Sequence, residues 1–193
     1  MRGRLVRPVL IAAVAGLAAA CATGPMAPVV APVERPVAQG FELEGRLSAS
    51  QGDRAASGQV LWTHSPAADQ WTLVNPLGQI VAQLVGTPRG ARLLTADGRR
   101  LEGTNAATML PELLGVSAPF DGLPHWVQAS PRAGATVLLR DGIGRPARIA
   151  DDGWLIEYPE YASPSPDAPP RRIDAAWGEA RIRLIIDHWT ARP

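Results

Sequence analysis

Phe41-Glu42-Leu43-Glu44-Gly45-Arg46-Leu47 carries the pattern that decides the fold. Phe41, Leu43, Gly45 and Leu47 alternate with Glu42, Glu44, Arg46 and Ser48. Successive side chains on a strand point to opposite faces, so this period of two predicts a strand with one face buried and the other in water. The same pattern recurs at residues 59–63, 70–74, 79–85, 91–95, 136–140, 147–150, 154–158, 172–176 and 180–188. Turn signals separate almost all of these runs: Gln51-Gly52-Asp53, Ser65-Pro66-Ala67, Asp97-Gly98, Asp141-Gly142, Asp152-Gly153 and Trp177-Gly178. Asp-Gly suits the primed two-residue turns of hairpins. Roughly ten strands in this spacing predict a mainly β chain folded as an antiparallel meander.

Residues 104–130 break the pattern. Thr104 or Asn105 can cap a helix that presents Met109, Leu110, Leu113 and Leu114 at helical spacing. Pro111 must then lie in its first turns or bend it, and Gly115 supplies the stop. Residues 123–129, with His125 and Trp126, form a second short turn. Strands plus a helical insert predict a curved sheet or barrel with a helical cover, and barrels of about this size can hold a small ligand.

The chain has 193 residues, which predicts one domain with a tail. Arg2, Arg4 and Arg7 precede an uncharged run from Pro8 to Ala20, too short to span a bilayer and ending in small residues. Residues 1–20 therefore read as a signal peptide. All 19 basic residues are arginine; without the first three, 16 remain against 18 acidic residues. A nearly neutral chain with no basic cluster makes nucleic acid a poor partner. Leu17-Ala18-Ala19-Ala20-Cys21 resembles the bacterial lipobox, whose cysteine becomes acylated, with Ala18 where a large aliphatic residue is usual. The alternative is an ordinary secretory signal that leaves Cys21 free. Ala22 after the lipidated residue implies outer-membrane delivery. Cys21 is the single cysteine, so no intrachain disulfide forms. Prolines at 25, 28, 32 and 36 make residues 21–39 an extended tether with no compact structure, and residues 40–193 the folded domain.

Chemistry is sparse. His64, His125 and His188 lack metal-ligand spacing, and no second cysteine joins them, so no metal is expected. Asp187 and His188 are strand neighbours that face opposite ways, and there is no Gly-x-Ser-x-Gly elbow. No glycine-rich phosphate loop or dinucleotide fingerprint occurs. The chain reads as neither an enzyme nor a user of nucleotide or other cofactor, apart from a covalent lipid on Cys21. Asn75-Pro76-Leu77-Gly78 stands out because an apolar residue occupies what should be a polar turn. Pro76 suits the first central position and Gly78 tolerates positive φ, leaving Leu77 near the tip, either folded onto the sheet edge or protruding as a contact.

From residue 41 to 189 the chain resembles the family of the outer-membrane lipoprotein receptor LolB. The resemblance rests on Phe41 to Leu47, Val60-Leu61-Trp62, Asn75-Pro76-Leu77-Gly78, Trp126 in the insert, Gly153-Trp154 leading to Tyr158 and Tyr161, and Arg181 to Trp189. It implies a half-open antiparallel barrel of about eleven strands, with helices over a hydrophobic cavity for acyl chains. It also implies three partners: the periplasmic carrier LolA, acylated lipoprotein cargo and outer-membrane lipid. The protein is expected to act as a monomer at the periplasmic face. Leu77, with Asn75, Pro76 and Gly78, corresponds to the family's protruding loop, proposed to dip into the bilayer interface.

Alternation gives the candidate cavity lining: Phe41, Leu43, Leu47, Val60, Trp62, Trp71 and Leu73, joined by Trp126. Glu157 shares a face with Leu155, so Trp154, Ile156 and Tyr158 are assigned inward. Ile182, Leu184 and Ile186 form one face of the final strand. Two other classes stay open. One is an envelope-scaffold lipoprotein without acyl-chain binding, and the other is a lipid enzyme whose polar residues converge in the cavity.

Overall fold

The computed structural model describes residues 30–192. The expected signal peptide, Cys21 and the first part of the tether lie outside them. Eleven strands form one sheet: β1 (Gly40–Gln51), β2 (Arg54–Ser65), β3 (Ala68–Val74), β4 (Ile80–Thr87), β5 (Gly90–Thr95), β6 (Arg100–Gly103), β7 (Thr136–Arg140), β8 (Pro146–Asp151), β9 (Trp154–Tyr161), β10 (Pro170–Trp177) and β11 (Ala180–Arg192). Their spatial order is β6-β5-β4-β3-β2-β1-β11-β10-β9-β8-β7, and every pairing is antiparallel. Two meanders are thus joined where the first strand meets the last. The edges β6 and β7 do not pair, so the sheet is an open half-barrel.

Ten of these strands coincide with the alternating runs. The eleventh, β6, is four residues long with Leu101 as its single large apolar side chain, too short to show a period; its pairing with β5 defines it. Faces fall as alternation requires. Phe41, Leu43 and Leu47 are buried while Glu42 and Arg46 are exposed, and Trp154, Ile156 and Tyr158 point inward while Leu155 is exposed.

Gly45 has a steric reason. It sits at a bulge where β1 shifts register against β11, and a Cβ there would run into the Ile185 carbonyl oxygen. The Asp-Gly turns divide. Asp152 and Gly153 both have positive φ, 49° and 80°, as a primed two-residue turn requires. At Asp97-Gly98 and Asp141-Gly142 the loops are longer: Thr95 pairs with Arg99 and Asp141 with Arg145, and Gly98 and Gly144 take the positive φ. Asp141 forces the longer loop by accepting from the backbone N–H groups of Ile143 and Arg145 at 3.1 and 2.9 Å.

The link from β6 to β7 crosses the open side. Asn105 caps a 3₁₀ turn, Ala106–Thr108, by accepting from the Thr108 N–H. Then α1 (Leu110–Leu114) carries Pro111 in its first turn and stops at Gly115 with φ 74°, and α2 (Leu123–Trp126) follows. Leu110, Leu113, Leu114, Leu123 and Trp126 are buried beneath this cover.

Residues 30–39 differ from a free tether. They form no regular element, yet Arg35 donates from Nε to the Gln128 carbonyl at 3.0 Å and from its two terminal nitrogens to Pro166 and Ala168 at 2.8 and 2.9 Å. Val33 N–H donates to Gly144, Ser130 donates to the Arg35 carbonyl, and the Ala38 N–H reaches the Gln128 side chain at 2.7 Å. Proline content shows why this segment makes no ladder; it does not show that one guanidinium fork would find three carbonyls. The segment is a strap across the lower corner of the cover.

Both tyrosines lie beside it. Burial lifts the Tyr161 hydroxyl to about 12, although Arg35 and Arg145 beside its ring favour the phenolate, and burial pushes Tyr158 well above its ordinary value. A folded pKa above the unfolded value of ~10 means that this contribution to stability is complete below pH 10 and is lost as pH rises toward 12. Spectrophotometric titration is therefore expected to show only about one-tenth of Tyr161 as phenolate in the native protein at pH 11, and both tyrosines titrating near ~10 in denaturant. Gly45→Ala is expected to cost about 1–3 kcal/mol in urea unfolding, because backbone, unlike a flexible side chain, must yield.

Candidate functional site

A cavity of about 40 Å³ lies between the concave face of the sheet and the cover. Leu43, Leu47, Val60, Trp62 and Trp71 reach it from β1 to β3, and Ile173, Ala175, Ile182 and Leu184 from β10 and β11. Leu114, Leu123, Trp126 and Val127 close it from above. Of the residues assigned to the lining, Leu43, Leu47, Val60, Trp62, Trp71 and Trp126 meet at this cavity. Phe41, Leu73, Trp154, Ile156 and Tyr158 are buried in the surrounding core instead. Phe41 packs at the strap end, stacked on Trp189 at 4.5 Å and edge-on to Trp62 at 4.7 Å. Trp154 lies between Trp126 and Trp177, at 5.5 and 6.3 Å. Alternation gives a face, and only curvature decides which part of that face borders the space. The contributions of α1, Val127 and β10 went unassigned; the β10 signal, Ile173 and Ala175 at spacing two, is legible in hindsight.

Polar contacts fasten the cover along its length: near α1, Arg54 donates to the Pro111 carbonyl at 2.8 Å and the Ser117 N–H to the Gln51 side chain at 3.2 Å. Trp126 donates its indole N–H to Asp151 at 2.7 Å, and Arg132 Nε meets the same carboxylate at 2.9 Å. Asp151 is 5% exposed, so arginine is the counter-ion that makes its burial tolerable. At the other end, Gln128 binds Ala38 of the strap and the Pro124 carbonyl.

His64 and Asp69 face each other across the β2–β3 hairpin at 2.8 Å, with the Trp62 indole on the same Asp69 oxygen. Neither lines the cavity. Ser65, the adjacent hydroxyl, exchanges hydrogen bonds with the Ala68 backbone in the turn. The convergence of Ser or Asp with His inside the cavity that a lipid enzyme would need is not found among the described residues.

The other feature is the loop after β3. Asn75 Oδ1 accepts from the N–H groups of Leu77 and Gln79 at 2.9 and 3.0 Å, Gly78 N–H closes onto the Asn75 carbonyl, and Gly78 adopts φ 80°. Every backbone N–H from Asn75 to Gln79 is thus bonded within the turn. Leu77 is left 84% exposed. Of the two orientations open from sequence, the protruding one is adopted. Because β3 runs in the same direction as β1, this loop leaves the sheet at the end away from the strap.

The model of the family described as outer membrane lipoprotein LolB matches residues 39–189. The chain belongs to this family. It is 46% identical over 180 residues to the outer-membrane lipoprotein LolB of Azoarcus sp. (strain BH72), covering 93% of each chain. It is 37% identical over 190 residues to that of Thiobacillus denitrificans, covering 97% and 99%. The fold is similar to the crystal structure of a LolA superfamily protein from Nitrosomonas europaea, with a TM-score of 0.50 at 8% identity, over 83% of this chain and 89% of that one.

Trp126→Phe removes the indole donor to Asp151 and leaves Arg132 in place. It is expected to cost about 1.5–3 kcal/mol in urea unfolding. Hydrogen exchange should accelerate in residues 123–130 while β1 and β11 keep their protection.

Proposed function

We propose that this protein is an outer-membrane receptor that accepts acylated lipoproteins from the periplasmic carrier LolA and inserts them into the outer membrane. It works at the periplasmic face, anchored through acylated Cys21, as a monomer and without nucleotide or catalysis. The observation that carries the reading is the apolar cavity closed by a cover of short helices. Each buried methylene is worth ~0.8 kcal/mol, so a long acyl chain exposed to water costs on the order of 10 kcal/mol. Cargo must therefore pass from one apolar enclosure to another. Such an exchange needs no chemical fuel, only a difference in affinity between the two.

The cavity is small, about 40 Å³. Acyl chains enter by displacing the cover, since the strands are locked in ladders on both sides while α1 and α2 are a few residues long. Leu77 supplies release: an exposed apolar side chain on a turn whose backbone N–H groups are bonded within the turn can enter the bilayer interface without burying an unpaired donor.

The test is to mix the Cys21→Ala chain, free of anchor, with carrier loaded with an acylated lipoprotein, and to follow the cargo by pull-down. Transfer without nucleotide is the expected result. An intact carrier–cargo complex beside a folded chain would instead favour an envelope-scaffold lipoprotein. Leu77→Glu should fold and capture cargo like the parent yet release at least tenfold less of it into liposomes, because a carboxylate opposes entry into the interface without emptying the core. Loss of capture by this variant would refute that division of labour.

A further inference from the structure

The α2 turn of the cover stops on a left-handed residue that is not glycine. Ala129 is completely buried and has φ 49°. The Ser130 N–H donates to the His125 carbonyl at 3.0 Å and the Ala129 N–H to the Trp126 carbonyl at 3.1 Å, the bond pair of a Schellman stop. Glycine takes that position without steric cost, whereas a Cβ there strains the turn. Such strain persists where the surroundings over-determine it. Here the strap grips both neighbours of Ala129. Arg35 Nε donates to the Gln128 carbonyl at 3.0 Å, and the Gln128 side chain accepts from the Ala38 N–H at 2.7 Å while donating to the Pro124 carbonyl at 2.9 Å. On the other side the Ser130 hydroxyl donates to the Arg35 carbonyl. The same guanidinium is held from outside the cover by the carbonyls of Pro166 and Ala168. Trp126 and Val127, which line the cavity, come immediately before this stop.

We propose that the strap is a latch on the α2 half of the cover, released when an acyl chain enters the cavity. This inference rests on the acyl-cavity reading above. With Arg35 docked, the stop is held in its left-handed turn and Trp126 and Val127 stay on the cavity. With the strap lifted, the strained stop relaxes, and the indole bond of Trp126 to Asp151 is the remaining polar hold of α2 on the sheet. Trp126 and Val127 then leave the wall and the space beneath them opens. Coupling of this kind is reciprocal: what strap docking takes from acyl binding, acyl binding takes from strap docking. Release also frees residues 30–39, which at ~3.1 Å per residue add about 30 Å of reach between the domain and residue 29. Opening the cavity and freeing the domain to turn are one event.

The test uses the Cys21→Ala chain and its Arg35→Ala and Ala129→Gly derivatives, read by hydrogen exchange without ligand and by methyl palmitate binding in competition with a fluorescent apolar dye. Arg35→Ala is expected to speed exchange in residues 123–130 about tenfold, to leave β1 and β11 protected, and to bind methyl palmitate about fivefold more tightly. Ala129→Gly removes the strain with the strap in place and is expected to slow exchange in residues 123–130 and to weaken methyl palmitate about threefold. A brace with no latch function would not tighten binding when removed. Exchange in residues 123–130 that is unchanged by Arg35→Ala, or that rises equally in β1 and β11, overturns the latch, and so does faster exchange with no gain in affinity. In the parent chain, saturating methyl palmitate should speed exchange of the Val33 and Ala38 amides, which bond Gly144 and Gln128 in the docked strap. Unchanged protection there overturns the inference even where a variant fails to fold. Binding of methyl palmitate by none of the three chains overturns the acyl-cavity reading itself, a result separate from the ligand-free exchange at residues 123–130.

Discussion

Antiparallel pairing of β1 with β11 is the constraint on which the rest of the molecule depends. It joins two meanders that are each built from local hairpins, and it is the one strand pairing that brings the chain's first and last strands together. Hairpins close short loops cheaply, whereas this contact must overcome the closure entropy of nearly the whole domain. It does so with the two longest apolar faces in the chain, Phe41, Leu43 and Leu47 against Ile182, Leu184 and Ile186. The bulge at Gly45 lets two long, twisting strands stay in register across that join.

Everything else follows from where that seam leaves the edges. With β1 and β11 at the centre, β6 and β7 become the two rims of a trough. The chain between them has to cross the open side, so the insert becomes a cover by topology. A cover made of two helical turns cannot pack as tightly as another sheet, and a small apolar space remains beneath it. Polar contacts hold it along its length: Arg54 at α1, Asp151 at Trp126, and the strap through Gln128 and Ser130. The geometry thus combines a continuous sheet wall with a roof of short helices, suited to the proposed guest that enters by lifting the roof.

The strap and the Leu77 loop lie towards opposite ends of this trough. Arg35 ties residues 30–39 to the loops at residues 128 and 166–168, and β3 carries Leu77 to the far end. The domain therefore presents its proposed bilayer contact on the side away from the strap. How far Leu77 can travel toward a membrane depends on whether the strap stays docked.

Local chemistry by itself determined ten of the eleven strands, because the period of two is a property of neighbouring residues, and it determined the turns at Asn75-Pro76-Leu77-Gly78 and Asp152-Gly153 and the helix stop at Gly115. It also indicated Leu43, Leu47, Val60, Trp62, Trp71 and Trp126, since a residue's face is fixed once its strand or helix is. Tertiary structure alone decided which inward residues border empty space and which are simply packed: Phe41 and Trp154 carry the same pattern as Trp62, yet aromatic neighbours fill their surroundings. It alone turned Arg35 from a charge in a proline-rich segment into a clamp, and gave carboxylates to Trp62 and Trp126 but none to Trp71. The physical reason is common to all three. Periodicity reports direction relative to the local backbone, whereas partners and voids depend on residues brought close only when β1 and β11 pair.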